Sequence, residues 1–224
     1  MKNMKESIKH LIKEANPLLL LRRRKSRKRL QNKEFTLITS NCIGGIIYHE
    51  LGMKFYSPTI NLRIDSDQFA KFVLKMDYYL EQDLKFIRTE EACPVALLDD
   101  IKIYFTHYKT EEEACRKWQE RKRRIQWDNL FVMLNDRDGL SEKTMAALCQ
   151  VKCRGMVMFS AKRRHELPYA LYMDCYRDMP CVGNVLEKNP ITGKRVYERY
   201  FDYVRWLNEA DGSLNCAPFS KKGE

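Results

Sequence analysis

The stretch "FTLITSNCIGGIIYHELG", Phe35 to Gly52, decides the reading of the fold. Phe35 to Thr39 is apolar and β-favouring, the composition of a strand. A polar Ser40-Asn41-Cys42 follows, then Gly44 and Gly45, and then a short helix is expected from Gly45 to Leu51. Such a strand-to-helix turn presents backbone N–H groups at a helix N-terminus, where the dipole favours an anion such as phosphate. The same turn also serves where helix and strand simply pack closely. It is neither GxGxxG nor a P-loop, since no Lys-Ser/Thr follows the glycines.

Outward from this unit, strand-like and helix-like segments alternate. "SPTINLRI" (Ser57 to Ile64) is extended, with Pro58 blocking a helix. Asp65 or Ser66 caps "DQFAKFVLKMDYYLEQDL", whose Phe69, Phe72, Val73, Met76, Tyr79 and Leu80 recur at helical spacing. "KFIRT", "PVALL" and "IKIYF" are short strands, partly antiparallel. Thr110 starts a helix, with Glu113 completing a capping box. "NLFVML" is a buried strand, Ser141 to Gln150 a capped helix, and "GMVMFS" another strand. "YERYFDYVRWLNEA" reads as a closing helix. The expected fold is α/β: a mostly parallel, Rossmann-like central sheet flanked by helices, with the antiparallel set around residues 85–105. The expected organisation is a basic arm over 1–34, a single α/β domain over 35–210, and a loose tail over 211–224.

The formal net charge is +11, but residues 1–34 hold 12 Lys and Arg against 3 Glu, a net of +9. The remaining 190 residues are nearly balanced, so no specific nucleic-acid partner is expected of the domain. The dense run "RRRKSRKR" follows the apolar "LLLL" of Leu18 to Leu21, a pairing that suits an anionic membrane surface. A solvated helical arm with no partner accounts for it equally. No apolar run is long enough to span a bilayer, and no secretory signal is visible. The eight cysteines include no CxxC pair, which argues against structural zinc. A reduced, cytoplasmic protein is expected, at the inner face of the membrane if the arm binds lipid.

In α/β sheets ligands bind beyond the carboxyl ends of the strands. Ser40, Asn41, Gly44 and Gly45 follow the first strand and are candidate ligand-binding residues. His107 and Tyr108 follow "IKIYF"; His107 is the one histidine directly after an expected strand and a candidate general base. Asp136 and Asp138 in "NDRDG" follow "NLFVML". An Asp-x-Asp there can hold magnesium or manganese on a nucleotide-sugar diphosphate, and Asp136 is a candidate catalytic residue. Trp118, Arg121 and Arg124 recur every three residues along one helix face. That face could grip phosphate beside an aromatic platform. Cys42 is a nucleophile by type, but nothing in the sequence sets His107 beside it.

"SNCIGGIIYHELGMKFYSPTINL", "DYYL", "PVALLDDIKIYFTHY" and "EEEACRKWQERKRRIQWDNLFVMLNDRDG" follow one another in order. Together they resemble the bacterial domain of unknown function often labelled exopolysaccharide biosynthesis protein. The resemblance covers about Glu34 to Phe201. It rests on Ser40, Asn41, Cys42, Gly44, Gly45, Ser57, Pro58, His107, Tyr108, Trp118, Arg121, Arg124, Ile125, Asp136 and Asp138. It implies a cytoplasmic α/β protein associated with capsule or exopolysaccharide assembly, and carries no established reaction. The leading expectation is therefore a transferase acting on a nucleotide-activated sugar or glycan precursor, resembling glycosyltransferases. An acyl- or phosphotransferase that decorates the glycan, and a non-enzymatic membrane-surface scaffold, are the alternatives.

Overall fold

The computed structural model describes residues 17–137 and 140–221. In chain order the strands are β1 (Thr36–Thr39), β2 (Leu84–Ile87), β3 (Val95–Leu98), β4 (Ile101–Tyr104), β5 (Leu130–Asn135), β6 (Gly155–Ser160) and β7 (Ala170–Tyr172). The helices are α1 (Pro17–Arg29), α2 (Ile43–Leu51), α3 (Ser66–Leu74), α4 (Met76–Glu81), α5 (Glu111–Lys122), α6 (Glu142–Leu148), α7 (Val196–Tyr200) and α8 (Tyr203–Glu209). A four-stranded parallel sheet runs in the order β1-β5-β6-β7. A separate antiparallel sheet holds β2-β3-β4. The α/β class, the parallel core and the small antiparallel set are those expected from the sequence.

β5 and β6 read as unbroken apolar runs because both faces of the parallel sheet are covered. Leu37, Phe131, Met133, Val157 and Phe159 pack on one side with Ile47 and Tyr48 of α2 and Trp206 of α8. The alternate residues Ile38, Val132, Leu134, Met156 and Met158 pack on the other, with Phe69 of α3, Trp118 of α5 and Leu148 of α6. β1 is an edge strand, and its outward polar groups are met from outside the sheet. The Tyr48 hydroxyl accepts from Leu37 N at 3.0 Å and donates to Phe35 O at 2.8 Å. Thr39 N donates to Thr59 Oγ1 at 3.0 Å. These bonds close the edge and fix α2 against β1.

Two expected helices are each broken in two. Lys75 (φ −133°, ψ 42°) leaves helical geometry between α3 and α4. Phe201 is extended between α7 and α8, bridging Ser220 while its buried ring sits against Trp206. β7, in "LPYALYMD", is a further strand that periodicity did not reveal, since three residues are too few to show a period. Thr110 caps α5 by accepting from Glu113 N, and Ser141 caps α6 by accepting from Thr144 N.

The second half of the basic stretch is the helix α1. Its Leu19 is buried, and Arg22 reaches Glu198 at 2.7 Å and Glu50 at 3.4 Å. Arg27 Nε donates to Glu50 O at 2.9 Å, and Arg29 pairs with Asp202. Leu18, Leu20 and Leu21 remain exposed. Beyond Asp211, Leu214, Cys216 and Phe219 are buried. Among the described residues no helix is long and apolar enough to cross a membrane.

Candidate functional site

The turn after β1 is built by its own polar groups. Thr39 Oγ1 donates to Asn41 O at 2.8 Å. Asn41 Oδ1 accepts from Ile43 N at 2.9 Å, satisfying one of the free amides at the start of α2. The buried Ser40 offers its carbonyl to Ile64 N at 3.0 Å. The glycines answer to close approach. A Cβ on Gly44 would lie 2.8 Å from Thr39 Oγ1, and one on Gly45 would lie 2.5 Å from Asn61 Oδ1. They let α2 seat directly on the end of β1 and on the Asn61 loop. Asn41, Gly44 and Gly45 thus shape the turn and leave the side chain of Cys42, between them, half-buried at its surface.

The turn after β4 meets it from the other sheet. Cys42 Sγ and His107 Nε2 lie 3.3 Å apart, within hydrogen-bond reach for sulfur. His107 is exposed, so the pair is open to solvent. A cavity of about 310 Å³ adjoins it, lined by both residues and by Gly45, Phe55, Asn61, Glu50, Arg23 and Arg195 among others. Burial pushes the Cys42 thiol up, and a hydrogen bond with the Thr106 side chain only partly offsets this. The thiol therefore rests protonated and needs a base at the moment of reaction, which His107 is positioned to be.

Two of the residues expected to grip phosphate, Arg121 and Arg124, brace the cavity wall at Phe55 instead. Arg121 is 7% exposed, and its Nη1 donates to Ile60 O at 3.2 Å and to the Tyr108 hydroxyl. Tyr108 donates to the same Ile60 carbonyl at 2.9 Å. Burial raises the Tyr108 phenol, and Arg121 draws it partly back. Arg121 also lies 5.0 Å from the Phe55 ring centroid, and Arg124 Nη1 donates to Phe55 O at 3.3 Å while its Nη2 meets Glu120. Trp118 is buried in the core, its ring 6.5 Å from that of Phe72. Trp118 and Arg121 share a helix face that points inward, while α5 ends at Lys122 and Arg124 lies beyond it, part-buried against Glu120.

Asp136 leaves β5 at the sheet edge where β1 ends, yet it does not line the cavity with Cys42 and His107. Its carboxylate accepts from Ser160 Oγ, Ala161 N and Val182 N, each at 2.8 Å, tying the exits of β5 and β6 to the Val182 segment. Both oxygens are thus occupied within the protein. Asp138, its expected partner on a metal, lies outside the described residues. Among those described, no three His, Cys, Asp or Glu side chains group as metal ligands. Of the three post-strand positions, the structure brings Asn41 and His107 to the Cys42 turn and gives Asp136 a separate place.

Arg23, Arg195 and Glu50 line the cavity unforeseen. Glu50 is 2% exposed, and burial raises its carboxyl, followed by the charge of Glu198, against the pull of Arg22 and Arg195. Arg195 Nη1 is anchored on Leu186 O at 2.7 Å. Arg195 and Cys42 are 153 positions apart, and no local pattern signals their meeting.

A family model described as domain of unknown function (DUF1919) matches residues 18–208, from the first turns of α1 into α8. The chain belongs to this family. A Haemophilus influenzae protein described as an uncharacterized protein is 38% identical over 183 residues, covering 82% of this chain and 88% of its own.

Proposed function

We propose that this chain is a group-transfer enzyme that carries an acyl group on Cys42, with His107 as the base. The observation that carries the reading is the 3.3 Å contact between Cys42 Sγ and His107 Nε2 beside an open cavity. His107 Nε2 takes the thiol proton as Sγ attacks the carbonyl carbon of an activated acyl donor. The bond to the leaving group breaks, and His107 returns the proton to that group. An acceptor hydroxyl, deprotonated in turn by His107, attacks the thioester; an ester forms and the thiol is restored. The first amides of a helix lack helical acceptors, so those of Gly44 and Gly45 are available to stabilise the oxyanion. Resemblance to exopolysaccharide biosynthesis proteins suggests a hydroxyl of a surface-glycan precursor as the acceptor. This reading is preferred to a nucleotide-sugar transferase because Arg121, Arg124 and Asp136 spend their polar atoms inside the protein.

The test is acylation by p-nitrophenyl acetate, followed by peptide mapping. The wild type should gain one acetyl group on Cys42, and Cys42→Ala none there. His107→Gln should slow the gain without changing the melting temperature. Equal rates in wild type and His107→Gln would sink the reading.

A further inference from the structure

We propose that the acyl donor carries phosphate, held by Arg23 and Arg195 in the Cys42–His107 cavity. This rests on the acyl-transfer reading and names the substrate class it serves. Both arginines line the cavity that holds the thiol and the imidazole. Three guanidinium groups, of Arg22, Arg23 and Arg195, gather around two buried carboxylates, Glu50 and Glu198. Arg22 contacts both carboxylates, at 3.4 and 2.7 Å, so the pairing is led from the side of α1. Arg195 Nε is buried and has no hydrogen-bond partner among the described residues; the nearest carboxylate oxygen, on Glu50, is 3.9 Å away. A buried guanidinium N–H without an acceptor is costly, and a ligand oxygen relieves that cost.

Arg23 also lines a second, neighbouring cavity of about 410 Å³ along α1, with Leu20, Arg24, Arg27 and Lys28. Every charged residue lining it is a cation. A lane of guanidinium groups therefore leads from the surface to the thiol. Planar, forked donors of this kind match phosphate oxygens two at a time. A diphosphate, or a phosphate linked to a longer chain, offers oxygens to Arg23, which lines both cavities, while its acyl carbon meets Cys42.

The experiment compares alkylation of Cys42 by iodoacetate, an anion, with alkylation by neutral iodoacetamide, each followed at Cys42 by peptide mapping. The ratio of the two rates, relative to that of a free cysteine peptide, reads the anion site. It should exceed the peptide's by about tenfold, at the low end of electrostatic steering. Arg23→Gln and Arg195→Gln should each bring it back toward the peptide's value; Arg23→Gln suffices if the anchored Arg195 proves necessary for folding. Inorganic pyrophosphate should protect Cys42 in the wild type and less in Arg23→Gln. Protection by phosphatidylglycerol vesicles instead would place the phosphate on a lipid-linked donor. His107→Gln should slow both reagents alike and leave the ratio untouched, so failure of the dyad and failure of the anion site are told apart. A wild-type ratio equal to the peptide's, or no protection by pyrophosphate or vesicles, overturns the proposal.

Discussion

The exits of β1 and β5 are neighbours on one sheet edge, and both carry the polar residues that invite a functional reading. They differ in what those residues have left to give. At the β5 exit, the Asp136 carboxylate accepts three bonds from its own chain. At the β1 exit, backbone and Asn41 satisfy the turn between themselves, and Cys42 meets a histidine delivered from the second sheet. Standing after a strand is thus not what makes a site. A polar side chain whose hydrogen bonds are consumed by the fold is architecture; one held next to an exposed base and a cavity can do chemistry.

The largest effect tests the architectural half. Asp136→Ala removes the acceptor for Ala161 N and Val182 N, both buried. Hydrogen bonds to charged groups contribute roughly 1.5–3 kcal/mol each and do not add fully, so the expected loss is about 4 kcal/mol of stability, read by urea denaturation. A stable Asp136→Ala protein that had lost only activity would erase the distinction between the two exits. His107→Gln should do the reverse. General-base removal costs at least about a hundredfold in rate, roughly 2.7 kcal/mol of barrier, while an exposed side chain leaves stability within about 0.5 kcal/mol. Thioester formation and melting temperature measured on one preparation decide this.

Arg121 stands between the two halves. It is buried as firmly as Asp136, yet what it braces is the loop at Ile60 and the Tyr108 turn that carries His107. Arg121→Ala is expected to cost about 2 kcal/mol of stability, since one charged donor is lost and the Tyr108 hydroxyl loses a partner. Arg121→Lys should recover part of it, because an ammonium keeps the charge but loses the planar stacking over the Phe55 ring. Acylation of Cys42 should slow in proportion to the loosening of the turn. An Arg121→Ala protein of unchanged stability that no longer bound pyrophosphate would return this residue to the ligand.

Fold and site were legible to different depths. β5 and β6 could be read because a strand covered on both faces must be apolar throughout, and the helix of residues 111–122 because its cap is local. The break at Phe201 escaped because its cause, the bridge to Ser220, is tertiary. Asn41, Cys42 and His107 were visible as residues after strands. Their meeting was not, because His107 arrives from a different sheet, 65 positions away. The inward turn of Trp118 and Arg121 was hidden for another reason. Spacing tells which residues share a helix face, and says nothing of which way that face looks.

The smallest effect sharpens the comparison most, because it isolates the thiol. Burial pushes Cys42 up from an ordinary thiol, and the hydrogen bond with Thr106 draws it partly back. Thr106→Val keeps the shape and removes that bond. The thiolate then loses a donor, so its pKa must rise further, and the curve of alkylation against pH must move to higher pH. At a fixed pH below the midpoint the thiolate fraction falls, and alkylation should slow about threefold. The same raised pKa means the folded chain holds the proton more tightly than the unfolded one. Cys42 thus lends stability that is present below the ordinary thiol range and is lost as pH climbs through it, more so in the variant. The Thr106 hydroxyl also lies 3.2 Å from Asn61 O and gives its one proton to only one of the two at a time, so Thr106→Ser, which restores the hydroxyl, is the control and should return the wild-type curve. A curve that moves to lower pH in Thr106→Val, or that Thr106→Ser fails to restore, would mean that the hydroxyl acts through the Asn61 loop. The β1 exit would then owe its reactivity to backbone shape, as the β5 exit owes its stability.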